Sequence, residues 1–313
     1  MNVREARPSD RDAVVAFTRD TWPDREGSDY VPDVFEEWID DGSGDRRTFM
    51  LEADDAVEQV LPDGATVSHR VAGLCQGALL TDEEAWAQGM RVNPAVRGRE
   101  GALELTDALL DWAAERGATV CRNMVFSWNA AGLGLSRAAG FAPAAEFRWA
   151  HPDPDAGARP DREVVGDPAA AWRYWQDSPA RDHLRGLGLD PDEPWALSEV
   201  TRERFERAAD GAAVLAVRGA EGVRAATYRT RTHDRTAESG TETWAEYGVG
   251  AWAGAESARS LFAAVARDAA AVGADRTRVL VPETPRHVSD VARVRTEFSD
   301  DPDFVLAADL TGR

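Results

Sequence analysis

Hydrophobic and polar positions in the first part of the chain switch between strand and helix periods. Residues 3–6 form a short strand pattern, and Pro8-Ser9-Asp10 gives a helix-start signal ahead of a helically spaced apolar run at 14–18. A second helix is predicted over 31–39. Three strand-like runs follow, separated by turns rich in Asp and Gly, at 48–52, 67–80 and 85–92. They predict an antiparallel meander.

From Gly101 the period becomes that of an amphipathic helix. Leu105, Leu109 and Trp112 share one face, while the opposite face is acidic. Three further elements are predicted, namely a buried strand over 119–126, a short helix over 129–139 and a strand over 141–149. The resulting order of elements predicts an α/β fold of the α+β kind, with a mixed, mostly antiparallel central sheet.

The second half of the chain repeats the first at a constant offset of 156 residues. Gly117-Ala118 falls on Gly273-Ala274, and Leu105 and Leu109 fall on Leu261 and Val265. An internal repeat of one mixed α/β unit is the simplest account. We therefore expect two tandem domains, with boundaries at 1–150, a linker rich in Pro, Asp and Arg at 151–168, and 169–313.

Composition adds a charge bias to this picture. The chain has 313 residues and a formal net charge of −20, and all 36 of its basic residues are Arg. An acidic surface without Lys favours a protein adapted to a salt-rich, halophilic cytoplasm. No basic face is evident, so nucleic acid is not an expected partner.

Other site classes find little support. Cys75 and Cys121 lie in apolar runs without ligand spacing, and the five His residues show none either, so no metal site is expected. No apolar stretch reaches the length of a membrane span. We expect a soluble, cytoplasmic protein without a membrane partner, and the sequence does not predict its oligomeric state.

The most informative segment joins the strand that ends at Val92 to the helix that begins at Gly101. At such a turn, free backbone N–H groups and the positive end of the helix dipole point at whatever lies there. Arg97 and Arg99 add charge, and Gly98 together with the small residues at the helix start allows close approach. The turn therefore predicts an anion site suited to a diphosphate.

This segment resembles the pyrophosphate loop of the GNAT N-acetyltransferase superfamily, and Asn129 ahead of Gly140-Phe141 is similar to the family's following helix. The resemblance covers roughly residues 3–149. It implies acetyl-CoA as acyl donor, bound where the sheet is splayed between strands four and five. It also implies cofactor-binding roles that comprise backbone groups of Met90, Arg91 and Val92, the loop Arg97, Gly98, Arg99, Glu100, Gly101 and Ala102, and a contact from Asn129.

Glu100 departs from the family pattern, since it stands where the first loop glycine belongs. The repeat places a Glu at the same position, Glu256, but replaces both arginines by Ala253 and Ala255. A carboxylate in the first turn suits the helix dipole although it would repel a diphosphate. We interpret Glu100 as serving the helix start, and expect one acetyl-CoA per chain.

The catalytic residues are less well defined. Alternate residues of the fourth strand share a face, which groups Glu84, Trp86, Gln88 and Met90. The family's usual acidic positions hold Trp86 and Gln88, so Glu84 would act as base only through water, and its alternative is an exposed turn residue. Ser136 occupies the position of the family's Tyr acid and would hydrogen-bond the leaving thiolate.

The acceptor is expected beside the first two helices. Trp22, Asp29 and Tyr30, with Trp86 from the strand, would provide an aromatic wall and a carboxylate for an amino group; alternatively they cover core. A faint similarity to the histidine N-acetyltransferase branch favours a small-molecule amine, first a free amino acid. The alternatives are a CoA-binding regulatory protein without catalysis and a tandem acyltransferase of thiol-cofactor biosynthesis.

Overall fold

The computed structural model describes residues 1–18, 21, 29–39, 44–60, 64–96, 101–211, 213–237 and 240–313. By internal contacts these residues form two compact units. Unit 1 comprises Met1–Met124, Ala130–Ala142 and Leu306–Arg313, and unit 2 comprises Val125–Asn129 and Pro143–Val305. Among the described helices, none is long and apolar enough to cross a membrane.

Unit 1 is built on a sheet in which β1, β2, β3 and β4 are antiparallel neighbours and β5 joins β4 in parallel. The elements along this part of the chain are β1 (Asn2–Glu5), α1 (Arg11–Thr18), α2 (Val31–Ile39), β2 (Arg46–Val60), β3 (Thr66–Leu79), β4 (Glu84–Val92), α3 (Gly101–Glu115), β5 (Val120–Phe126) and α4 (Ala130–Ala138). The predicted α/β fold with its mixed sheet is confirmed.

The two faces of this sheet bury alternate side chains of β2. Met50 packs with α1 and α2 in a core cluster that includes Phe35. On the other face Phe49 meets Trp112 of α3 edge to face, with ring centroids 6.2 Å apart. The period-two alternation of the strand therefore supplies both cores.

The predicted elements match the observed ones closely, and α2 has the predicted bounds. The largest difference is β2, which was predicted over 48–52 and extends to Val60. Its second part is polar and pairs with the start of β3 across two register shifts. An exposed hairpin arm carries no alternating pattern, so hydrophobicity did not reveal it.

In the sheet strands of unit 2, β14 is parallel to β12 and antiparallel to β6, while β10, β11 and β12 are antiparallel neighbours. Its elements are β6 (Ala142–His151), β7 (Val164–Val165), α5 (Pro168–Gln176), α6 (Pro179–Leu184), β8 (Leu187–Leu189), β9 (Leu197–Glu199), α7 (Arg202–Asp210), β10 (Val214–Gly219), β11 (Gly222–Ala237), β12 (Gly240–Tyr247), β13 (Ala251–Trp252), α8 (Ala255–Ala271), β14 (Arg276–Pro282), α9 (Pro285–Val294), β15 (Glu297–Phe298) and β16 (Asp303–Asp309), whose last residues belong to unit 1.

The segment predicted as a linker, 151–168, is structured within unit 2. Val164 and Val165 pair with β10, and the N–H of Asp155 donates to the carbonyl of Ala266. The domain boundaries read from the sequence stay a prediction, because contacts group the chain by packing and not by repeat.

Local structure at the predicted repeat corresponds closely between the units. β14 begins and ends 156 residues after β5. Both preceding helices end with equivalent bonds, from Ala118 N–H to the Ala113 carbonyl and from Ala274 N–H to the Ala269 carbonyl. The predicted core positions Leu261 and Val265 are fully buried in α8.

One face of the unit 2 sheet carries a buried charge cluster. The Glu246 carboxylate, 0% exposed, is 2.6 Å from both Arg231 and Arg278. The Arg278 guanidinium also lies 4.0 Å and 4.3 Å from the ring centroids of Trp195 and Trp149. Burial lowers the pKa of Arg278 to about 10, so it keeps its charge at neutral pH.

We expect His287 to make the protein less stable in mild acid. Its Nδ1 lies 2.7 Å from the Thr284 hydroxyl at the start of α9, and burial, together with the charges of Arg286 and His183, lowers its pKa to about 4. A group depressed from 6.5 stabilises the fold above that pH and loses this contribution as pH falls. Between pH 7.5 and 5.5 the loss is on the order of 1 kcal/mol.

Urea unfolding of His287→Phe at these two pH values measures the effect. On acidification the free energy of unfolding of the variant should fall by about 1 kcal/mol less than that of the parent chain. Equal losses would show that His287 does not titrate differently in the folded and unfolded states.

Candidate active site

The defining feature of unit 1 is that β4 pairs with β5 over only part of its length. The parallel ladder runs from Glu84 opposite Val120 to Ala87 opposite Asn123 and stops there. Residues 88–92 continue along β3 alone. Among the described strands, none pairs with residues 88–92 on the side away from β3. We call this side the open edge of β4, and backbone groups that face it can bind an extended ligand.

A bulge at Gly89 sets the shape of this open edge. The β3 register shifts between Leu74 and Gln76, so β4 accommodates one extra residue there. Gly89 has φ of +64°, and a Cβ on it would lie 2.3 Å from the Trp38 ring of α2. Only glycine meets both requirements, and the close approach brings α2 against the strand.

The hydrogen-bonding direction along β4 distinguishes the backbone N–H groups of Arg91 and Val92, two of the three residues expected to offer backbone groups to the cofactor. Asn93 N–H donates to the Ala72 carbonyl at 2.8 Å, towards β3. Because successive residues of a strand point in opposite directions, Arg91 also faces β3 and Val92 faces the open edge. Val92 N–H is thus the better placed of the two.

The predicted diphosphate loop is described only in part. Arg97, Gly98, Arg99 and Glu100 lie outside the described residues. Gly101 is the first residue of α3, and a Cβ on it would lie 2.3 Å from a Leu51 methyl. Its lack of a side chain therefore serves packing against β2, while Ala102 in the first turn is half-buried.

Arg91 and Asp29 form a buried ion pair. Nε and one terminal nitrogen of Arg91 donate to the two carboxylate oxygens at 2.6 and 3.0 Å, and the Asp29 side chain is 0% exposed. Asp29 also accepts from Val31 N–H at the start of α2. These bonds commit its carboxylate to the fold, leaving little capacity for an incoming amine.

Tyr30 is the exposed member of this group. The Arg91 guanidinium lies 5.5 Å from its ring centroid, and its ring meets Trp38 edge to face. It is 43% exposed, so its outer surface is accessible to a ligand. By contrast Trp86 is 1% exposed and offers almost no surface, and Trp22 lies outside the described residues.

The two predicted β4 catalytic residues are held by polar neighbours. Glu84 is buried and forms a short ion pair with Arg122 of β5, at the paired end of the strands. It is not an exposed turn residue, and its carboxylate is already engaged by a guanidinium. Gln88 donates to the Gln76 side chain at 2.7 Å, which orients its amide.

Asn123 is a site residue that the sequence did not single out. It is the last β5 residue paired to β4, and its Nδ2 donates to the Ser136 hydroxyl oxygen at 2.9 Å. Its Oδ1 is buried without a hydrogen-bond partner in the described part of the chain. No motif in the sequence marks Asn123, and its place beside Ser136 becomes evident only from the pairing of β5 with β4. Asn129, the predicted cofactor contact, directly precedes α4 and is grouped with unit 2, while α4 itself belongs to unit 1.

The surroundings of the strands are otherwise apolar. Cys75 and Cys121 are buried, and burial raises the pKa of the Cys121 thiol to about 12. Neither thiol is therefore ionised at neutral pH. Among the described residues no group of three or more His, Cys, Asp or Glu is arranged to hold a metal ion.

Comparison with known families gives the class of protein that this part of the chain matches. Residues 12–141 match the model of the acetyltransferase (GNAT) family. This match identifies a GNAT acetyltransferase domain in the chain, and enzymes of this family take their acyl group from acetyl-CoA. The predicted enzyme class and acyl donor are confirmed.

Solved structures extend the likeness to the whole chain. A GCN5-related N-acetyltransferase from Sphaerobacter thermophilus is 14% identical with a TM-score of 0.58, covering 99% of this chain and 95% of its own. A Thermoplasma acidophilum protein assigned as an acetyltransferase is 17% identical with a TM-score of 0.55, covering 99% and 100%. At these identities the likeness shows a shared fold. No functionally curated protein matches the sequence.

Gly89→Ala should destabilise the protein more than a glycine replacement that adds strain alone. A left-handed conformation costs about 1–2 kcal/mol for a non-glycine residue, and overpacking against Trp38 adds about 1–3 kcal/mol. Gly140→Ala is the matched control, since Gly140 has φ of +91° with nothing within 4 Å of an added Cβ. Urea denaturation of both variants checks this. Equal losses would contradict the close approach of Trp38.

Proposed function

We propose that the protein transfers an acetyl group from acetyl-CoA directly to the amine of a small molecule, with a free amino acid as the first candidate. The observation that carries the proposal is the end of the β4–β5 ladder at Ala87 and Asn123. Beyond it, β4 offers backbone groups along an edge that none of the described strands of unit 1 occupies. A thioester arm can pair with that edge.

The chain's own residues supply binding. Met90 and Val92 offer backbone groups, and α3 begins nine residues after Val92, at Gly101. In this proposal Arg97 and Arg99 carry the charge that a diphosphate needs, Gly98 and Ala102 allow its approach, and Glu100 faces away. Asn129 provides a further contact from the start of α4.

Bound acetyl-CoA supplies the acetyl group: the amine nitrogen bonds to the carbonyl carbon, the C–S bond breaks, the nitrogen loses a proton and the sulfur gains one. Val92 N–H faces the open edge and can stabilise negative charge that develops on a carbonyl oxygen. It needs no particular side chain at that position. Because this donor is a backbone group, the carbonyl can be polarised even though Gln88 stands where the family often has an acidic residue.

Ser136 and Asn123 are proposed to bind the leaving sulfur. Because Asn123 Nδ2 donates to the Ser136 oxygen, the hydroxyl hydrogen is directed away from Asn123 and can donate to a thiolate. Asn123 is then a positioning residue. Glu84 is tied to Arg122, so a general-base role for it would act through water and compete with that ion pair.

The acceptor side is proposed to be the surface of Tyr30 beside Arg91. An aromatic face is well suited to an amine and its apolar substituents. Asp29 neutralises the Arg91 guanidinium behind the ring, so the Tyr30 face itself is the surface proposed to meet the acceptor. Asp29 serves here by fixing Arg91 and not by touching the amine.

We propose that unit 2 derives from a second, degenerate copy of the same domain. The matching bounds of β5 and β14 support the repeat. In unit 2 the β12–β14 ladder reaches Tyr247 opposite Val279 at the last residue of β12, and Gly250 N–H then donates to the Leu280 carbonyl. Since these strands do not diverge, one acetyl-CoA per chain is expected.

Thiol release from acetyl-CoA with a panel of amines, assayed in molar salt, tests the proposal. Turnover with free amino acids should exceed that with peptides, and Arg97→Ala/Arg99→Ala should weaken acetyl-CoA binding by about tenfold or more without lowering Tm. Arg207→Ala/Arg267→Ala removes the same charge from exposed helix positions and should leave affinity unchanged. Absence of turnover with every amine would favour a CoA-binding regulatory protein.

Ser136→Ala should lower kcat by about tenfold with little change in the KM for acetyl-CoA, since it removes a hydrogen bond to a charged leaving group. Asn123→Asp should lower kcat similarly, because a carboxylate accepts from the Ser136 hydroxyl and turns its hydrogen away. The double variant should be no worse than either single one. Additive losses would contradict a shared role, and Ser289→Ala on exposed α9 is the control.

A further inference from the structure

A row of polar side chains crosses the sheet face of unit 1 that packs against α1 and α2. Strand register places Thr48 of β2 opposite Gln76 of β3, and Gln76 opposite Gln88 of β4. In the next row on this face, Met50 and Leu74 are fully buried in the core with α1 and α2. Gln76 is 0% exposed, and a buried amide costs free energy unless its hydrogen bonds are made.

The hydrogen bonds of this row run in one direction. They begin at the Trp38 carbonyl, one of the last four carbonyls of α2, which find no partner within the helix. The Thr48 hydroxyl donates to it at 3.1 Å, so the hydroxyl oxygen is left to accept from Gln76 Nε2 at 3.3 Å. Gln76 Nε2 also lies 3.5 Å from the Trp38 carbonyl oxygen. Since a carbonyl oxygen only accepts, Gln76 must turn its nitrogen to this end and its oxygen to the other.

Gln88 lies at the other end of the row. Its Nε2 donates to Gln76 Oε1 at 2.7 Å, the shortest bond in the row. An amide that turns its nitrogen towards Gln76 turns its oxygen away from it. The row therefore fixes the orientation of the Gln88 amide, whereas an amide that rotates freely would present either its nitrogen or its oxygen to a ligand.

The position of Gln88 places this amide at the proposed acceptor site. Gln88 is the first β4 residue beyond the end of the ladder with β5. The bulge at Gly89 adds one residue to β4, so Arg91, opposite Leu74, returns to the face that carries Gln88. The Arg91 guanidinium lies 5.5 Å from the ring centroid of Tyr30. Gln88 and the Tyr30 surface therefore lie on the same side of the sheet.

We infer that Gln76 is a positioning residue of the acceptor site, which holds the Gln88 amide oxygen towards the incoming amine. The inference rests on the proposed acetyl transfer and adds the residue that sets hydrogen-bond polarity beside Tyr30. The oxygen of Gln88 accepts an N–H of the amine and leaves the nitrogen lone pair for the thioester carbonyl. Thr48 and the Trp38 carbonyl act one bond further back.

Steady-state kinetics with the amine panel, together with calorimetric binding of acetyl-CoA, test the inference on the full chain. Gln76→Leu removes the group that orders the Gln88 side chain, so kcat/KM for the amine should fall about fivefold while the Kd for acetyl-CoA stays unchanged. Gln88→Leu should lower kcat/KM by about tenfold or more. Adding Gln76→Leu to Gln88→Leu should cause no further loss, since Gln76 acts only through Gln88.

Gln76→Glu separates positioning from stability. Its carboxyl keeps an oxygen facing Gln88 in either protonation state, so kcat/KM for the amine should stay within about twofold of the parent value. A buried carboxyl is more costly than a buried leucine, so Tm should be lower in Gln76→Glu than in Gln76→Leu. A role in folding alone would instead make activity follow Tm.

Thr277→Val is the control for lost stability. It removes a buried hydrogen bond to the Pro152 carbonyl in unit 2 and should leave kcat/KM for the amine unchanged. The inference is wrong if Gln76→Leu keeps the parent kcat/KM, or if Gln76→Glu loses as much activity as Gln76→Leu. Absence of turnover in the parent chain would instead refute the acetyl transfer, and the inference with it.

Discussion

The organisation of unit 1 depends on the point at which two parallel strands stop sharing hydrogen bonds. Up to Ala87 and Asn123 the β4–β5 ladder is an ordinary sheet interior. Beyond it, β3 is the only described strand that pairs with β4, and a strand edge of this kind can accept an extended ligand as its next partner. The bulge at Gly89 and the ion pair of Arg91 lie directly beyond this point, so the site and the interruption of the sheet have one origin.

Much of this architecture could be predicted from hydrophobic patterns. Leu105, Leu109 and Trp112 of α3 are buried as their spacing predicts, because a helix that covers a sheet needs one apolar stripe. α2 was predicted equally well. β2 was not, because its second half is exposed to solvent on a hairpin arm and shows no period.

The roles of the candidate site residues were harder to predict than the elements that carry them. Asp29 and Glu84 are acidic residues in suggestive places, but each is held by an arginine distant in sequence, Arg91 and Arg122. Asn123 lacked any motif and acquires significance only from strand register. Composition fixes which groups exist, while long-range pairing decides which remain available, and a single sequence carries little information on such pairing.

The buried ion pairs have a consequence for how the protein responds to its medium. At 1 M ionic strength charges in water are screened beyond about 3 Å, so attractions between exposed side chains fade. The Arg91–Asp29 and Arg278–Glu246 contacts are enclosed by protein, where dissolved ions do not enter. Salt at this concentration therefore weakens the repulsion between acidic surface groups but has little effect on these two buried ion pairs. The position of Arg91 beside Tyr30 accordingly depends little on ionic strength.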